Sequence, residues 1–208
     1  MIRSLSLALL VSTAAAAQTP THWSMVTGET VSPDHDAMDF AAGWPGLRFD
    51  FKHGLSDRSD VGFALEVLYS VENTTSTKFG LGFSLPIRQV AYRKDTLTLA
   101  LHFDPGVRVY TDSNSNDLYL RIPVGGSMGL QLSGQTRFAL GFDLNMAFQT
   151  PHTAFFEIEP VVGAALEYLV DPGFQVGLNT RFGPEWTTIT NSGSRFAMTA
   201  EIVLGKRL

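Results

Sequence analysis

A strict two-residue alternation of bulky apolar with small or polar side chains runs through most of this chain and restricts its fold more than any other feature. Phe138, Leu140, Phe142, Leu144, Met146 and Phe148 form one set, and Ala139, Gly141, Asp143, Asn145, Ala147 and Gln149 between them form the other. A strand sends successive side chains to opposite faces, so this stretch has one apolar and one polar face. The same pattern predicts strands over 39–52, 60–71, 78–92, 96–110, 117–132, 137–149, 154–169, 174–185 and 195–207. No linker, low-complexity tract or helical repeat divides them. The chain is all-β.

Two kinds of connection alternate between these strands. Residues 54–59, Lys94-Asp95, Ser133-Gly134-Gln135 and Asp171-Pro172-Gly173 have tight-turn chemistry, whereas 72–77, 111–116, 150–153 and 188–193 are slightly longer polar loops. Placing every turn at one end makes the last strand finish there. The first visible strand then starts at the opposite end, so an earlier strand is needed, and 22–31 is the candidate. A closed antiparallel up-and-down barrel of ten strands is therefore expected, with eight as the runner-up.

The N-terminus sets the compartment. Arg3 precedes the apolar stretch 5–11, and Ala15-Ala16-Ala17 before Gln18 matches a small-residue cleavage site. The apolar run is shorter than the roughly 20 residues of a spanning helix. The expected organisation is a cleaved signal peptide at 1–17 and one barrel domain at 18–208. After cleavage, 14 Lys and Arg face 20 Asp and Glu, a balance that argues against nucleic-acid partners. With no Cys in the chain, disulfides and thiolate metal sites are excluded.

A soluble barrel also alternates, but it turns its apolar face inward and shows Lys and Glu outside. Here the apolar set is bulky (Val61, Phe63, Leu65, Val67; Leu97, Leu99, Leu101, Phe103), and the opposite set is small or charged (Gly80, Gly82, Ser84; Gly125, Ser127, Gly129). Small residues suit a narrow lumen. Aromatics near strand ends, including Trp44, Tyr92, Tyr110, Tyr168 and Trp186, fit interfacial girdles. A transmembrane barrel follows. The stretch from Gly43-Trp44-Pro45-Gly46 to Leu55-Ser56-Asp57-Arg58 resembles the opening hairpin of small bacterial outer-membrane β-barrel proteins of uncharacterised type. That resemblance implies an outer-membrane location, lipid contact and delivery by the barrel assembly machinery. One departure is that such barrels usually end in an aromatic residue, whereas this chain ends Gly205-Lys206-Arg207-Leu208.

The inward face is charged. Arg48, Asp50, Lys52, Glu66, Arg88, His102, Asp104, Arg108, Arg121, Asp143, Glu157, Glu159, Glu167, Arg181, Glu201 and Arg207 project into the lumen. Arg48 should sit opposite Glu66, and Arg108 and Arg121 are expected to reach acids such as Glu157 and Glu159. Near-balanced charge across a narrow interior favours a plug, and hence a structural or interaction barrel. The alternative is a narrow diffusion channel for small polar solutes. Ser127 lies within Gly125-Gly126-Ser127-Met128-Gly129, near His102 on the same face, which keeps a lipid-modifying hydrolase as a third reading. The hydrolase elbow needs a strand-to-helix turn, which an alternating strand lacks, so the expectation is no enzyme. No cofactor or metal site is expected.

Overall fold

The computed structural model describes residues 24, 28–72, 78–111, 116–150, 155–188 and 195–208. Among these the chain forms ten antiparallel strands: β1 (Asp36–Trp44), β2 (Gly46–Ser56), β3 (Ser59–Leu68), β4 (Phe79–Ser84 continuing as Ile87–Lys94) and β5 (Leu97–Phe103 continuing as Gly106–Thr111). Then come β6 (Asn116–Arg121 continuing as Val124–Gln131), β7 (Thr136–Thr150), β8 (Phe155–Asp171), β9 (Phe174–Thr187) and β10 (Arg195–Arg207). Each strand pairs with the next, and β10 returns to β1 with Ala37 opposite Arg207 and Trp44 opposite Ala200. The barrel is closed. Closure leaves no strand edge, which is what a sheet needs where lipid offers no hydrogen bonds.

The interruptions in β4, β5 and β6 have one cause. Pro86, Pro105 and Pro123 lie side by side on these strands and cannot donate to the ladder. Their carbonyls still serve it: Gly62 N donates to Pro86 O at 2.8 Å, Leu85 N to Pro105 O at 2.9 Å and Asp104 N to Pro123 O at 3.0 Å. The facing of side chains carries through each break, so Ser84 and Arg88 both point inward.

The ten-strand count stands, but the extra strand comes from elsewhere than expected. The segment 39–52, expected as one strand, is a hairpin: β1 and β2 turn at Pro45, between Gly43-Trp44 and Gly46. Backbone crowding demands the glycines, because a Cβ at Gly46 would strike the Val67 carbonyl. Tyr69 secures the corner, its amide donating to Pro45 O at 3.1 Å, its hydroxyl to Gly43 O at 2.5 Å, and its ring packing edge-on against Trp44. Ser24 and Gly28–Val31, the described part of the candidate strand 22–31, join no ladder. The expected signal peptide lies outside the described residues.

Burial is inverted relative to a soluble domain. Leu65, Leu101, Phe142, Val162, Leu178 and Ile202 are exposed, whereas Asp60, Glu66, Arg88, Arg108, Asp143 and Glu167 are buried. The buried apolar residues are mostly alanines (Ala64, Ala100, Ala139, Ala165, Ala197), small enough for charged neighbours to meet across the interior. The outward band is apolar and the interior polar, as in outer-membrane barrels. Tyr110 departs from its expected girdle place. It is buried on the Arg108 side of its strand, edge-on to Tyr119 at 5.4 Å.

Candidate functional site

The barrel has a turn end, carrying the short connections and residues Asp36 and Arg207, and an opposite loop end. Its lumen is filled in three levels. At the turn end the filler is the N-terminal segment. Glu29 accepts from Arg93 Nε at 3.1 Å and Nη2 at 2.5 Å, and from the Thr98 hydroxyl at 2.5 Å. Burial alone would raise the Glu29 carboxyl, but the bonds from Arg93 and Thr98 and the Arg93 charge outweigh it and hold the group below its ordinary value of 4.5. Val31 N donates to Asp60 at 2.8 Å, Ser24 Oγ to Glu167 at 2.9 Å, and Arg88 Nη1 to Ser24 O at 2.9 Å. Lys52 pairs with Asp39 beside them.

The middle level surrounds a cavity of about 150 Å³, large enough to hold water. Arg48 holds Asp50 in a fork at 2.8 and 2.7 Å, and reaches Asp104 at 3.1 Å and Glu66 at 3.6 Å. The expected Arg48–Glu66 pairing is therefore present, as one arm of a larger cluster. Across the cavity Asp143 binds both the His102 imidazole and Arg181, the latter at 2.9 Å. His102 is thus partnered by Asp143, two strands away, and Ser127 lies on the same cavity wall. A Cβ at Gly125 would collide with both His102 and Asp143, which explains the glycine there.

Toward the loop end the space narrows to cavities of about 80 and 20 Å³. Arg108 bonds Glu66 at 2.6 and 2.9 Å and Glu72 at 2.8 Å, and Arg121 approaches Glu72 at 3.6 Å. These contacts correct the expectation that Arg108 and Arg121 span to Glu157 and Glu159. The nearer acids on β3 and its connection take the arginines instead. Glu157, Glu159 and Glu185 come together at the loop end, with carboxylate oxygens within 4.8 Å of one another. Asn145 donates to Glu159 at 3.3 Å.

Each expected lumen charge is buried or half-buried: Arg48, Asp50, Glu66, Arg88, Asp104, Arg108, Arg121, Asp143, Glu157, Glu159, Glu167, Arg181 and Glu201. The alternation also places Asp60, Arg137 and Glu185, the end residues of expected strands, on that face, although they are not among the lumen charges named from the sequence. Arg93 was hidden differently. A bulge between Val90 and Tyr92 shifts the register and turns an odd-numbered side chain toward Glu29. Glu29 and Glu72 lie outside the strands, where alternation says nothing.

No family model matches the chain, and no curated protein does. Among solved structures the chain is similar to the outer membrane protease OmpT from Escherichia coli, at 9% identity and a TM-score of 0.45, over 88% of this chain and 100% of that one. What the described residues establish by themselves is a closed ten-stranded antiparallel β-barrel with an apolar outer face and a polar interior. One expectation is corrected by this chain's own residues: the exclusion of an enzyme rested on a missing strand-to-helix turn, but Asp143 holds His102 on a cavity wall that Ser127 also lines, without such a turn, so that exclusion does not stand. Shared architecture carries no activity, and any catalytic reading rests on this chain's own residues.

Proposed function

We propose that this protein is a barrel closed to through-flow, working at its wall and its ends as a structural or interaction component of the outer membrane. The observation that carries the reading is the N-terminal segment seated in the turn-end lumen on Arg88, Arg93, Asp60 and Glu167. The paired charges of the loop half close the other approach. In this reading a signal peptide ending at Ala17 directs export, the barrel assembly machinery inserts the chain, and the turn end faces the periplasm, where both termini of such barrels lie. Planar-bilayer recording tests it. The full mature chain should give no stable conductance step. A reproducible step would make the protein a channel for small polar solutes.

A second reading has one observation in its favour. His102 is held by Asp143, and Ser127 lines the same cavity, so the three residue types that acyl hydrolysis uses share one wall. Ser127 and Gly141 also border an outward apolar groove formed by Leu99, Leu101, Met128, Leu140 and Phe142. Ser127 Oγ itself faces the lumen beside Gly28, so an acyl substrate would have to reach it from the cavity side of the wall. Phospholipid or lipid A deacylation abolished by Ser127→Ala would establish this reading. Activity unchanged by Ser127→Ala, or none at all, would remove it.

A further inference from the structure

The N-terminal segment touches the barrel as a ligand touches a site. It adds no strand, and its anchors are separate. Glu29 sits between Arg93 and Thr98. Val31, fully buried, packs with Ala37, Ala41 and Val203, where the small side chains of β1 and β10 leave a recess for it. Ser24 meets Glu167 and Arg88. Gly28, at φ 90°, passes so close to the wall that a Cβ would lie 2.6 Å from Ser127 Oγ and 3.2 Å from Ala100 Cβ.

The receiving groups are held by the barrel itself. Arg88 is clamped by Asp60 at 2.9 and 2.5 Å, which aims its remaining nitrogen at the Ser24 carbonyl. Arg93 also donates to Asp57 O at 3.1 Å. Partners fixed in advance lose little freedom on binding, which is what distinguishes a preformed site from mutual collapse.

We infer that the turn-end half of the lumen is a peptide-binding site, and that Ser24 and Gly28–Ser32 are its resident ligand. The recognition elements are a carboxylate at 29, a branched apolar residue at 31, a hydroxyl at 24 and a glycine at 28. Tethering gives the resident segment an effective concentration on the order of millimolar, so a free peptide competes only when the resident is weakened. This inference rests on the closed-lumen reading for its setting. Conductance tests that reading, and peptide exchange tests this one.

The experiment uses the full mature chain and a fluorescent synthetic peptide spanning residues 22–35. Thr30→Cys supplies the reporter. The protein has no Cys, and Thr30 is buried with a hydroxyl that has no partner among the described residues, so the substitution costs no hydrogen bond. Thiol labelling should be slow in that background and about 100-fold faster when Gly28→Leu is added, because no room exists for the new side chain. Arg93→Gln, a milder change, should accelerate it about tenfold, and it serves if Gly28→Leu prevents folding. The peptide should bind the loosened protein saturably and leave the Thr30→Cys protein unbound at micromolar concentration. A peptide carrying Glu29→Gln should bind about tenfold more weakly to the Gly28→Leu protein. Fast labelling without Gly28→Leu or Arg93→Gln would overturn the inference. So would protection that survives both changes, or a loosened protein that ignores the peptide.

Discussion

Phe142→Arg is expected to cost about 2–4 kcal/mol of barrel stability, because the side chain leaves the middle of β7 on the apolar outer face, the depth at which a cation is most expensive. Phe142 is 52% exposed, and its strand partners there are Gly126 and Val162. Tyr168→Arg, near the turn end of β8, sits where the membrane gives way to headgroups and water, and should cost about 0–1 kcal/mol. Urea unfolding in liposomes measures both. Depth dependence is the signature of lipid contact, and equal costs would contradict the membrane-facing assignment. Asp143→Asn is not the mild neighbour that its lumen position first suggests. That carboxylate is 3% exposed and holds both His102 and Arg181, so its loss disturbs two partners at once.

The architecture was written in the alternation because both faces of a barrel strand have definite and opposite solvents. Strands β3 to β10 follow the expected segments closely, and the three internal prolines did not disturb the reading because they break hydrogen bonds without changing the facing. The β1–β2 hairpin was legible but overlooked. The outward apolar residue of β1 is Phe40, while those of β2 are Leu47, Phe49 and Phe51, so the parity changes across Pro45. A strand cannot change parity without a bulge or a turn. Gly43, Pro45 and Gly46 mark the turn.

The site was legible only in part. Alternation tells which side of the wall a charge occupies, and the expected lumen charges are buried or half-buried. It does not tell which partner a long side chain selects around the circumference. That choice depends on depth, set by strand stagger, and on groups that come from outside the sheet. Glu72 and Glu29 are such groups. The N-terminal segment lacks a strand's pattern because its partners are point contacts in the lumen, and a weak candidate strand was the nearest reading available.

The network around Arg108 carries the other large expected effect. Its guanidinium and the Glu66 carboxylate are 8% and 7% exposed, joined by two bonds at 2.6 and 2.9 Å, with Glu72 added at 2.8 Å. Arg108→Ala removes the cation from between two buried carboxylates, and should cost about 3–5 kcal/mol if the interior is dry. In a water-filled pore the same charges would be screened, each pair contributing only about 0–1 kcal/mol. Arg121→Ala should cost less than Arg108→Ala, since its approach to Glu72 at 3.6 Å is longer than any of the Arg108 bonds. Combining Arg108→Met with Glu66→Gln removes one charge of each sign, leaves Glu72 to Arg121, and should recover much of the loss, because the penalty lies in the stranded carboxylate. The urea midpoint in liposomes reads all three proteins. A midpoint unmoved by Arg108→Ala, together with a shifted reversal potential in bilayers, would mean that the loop half of the lumen holds water and passes ions.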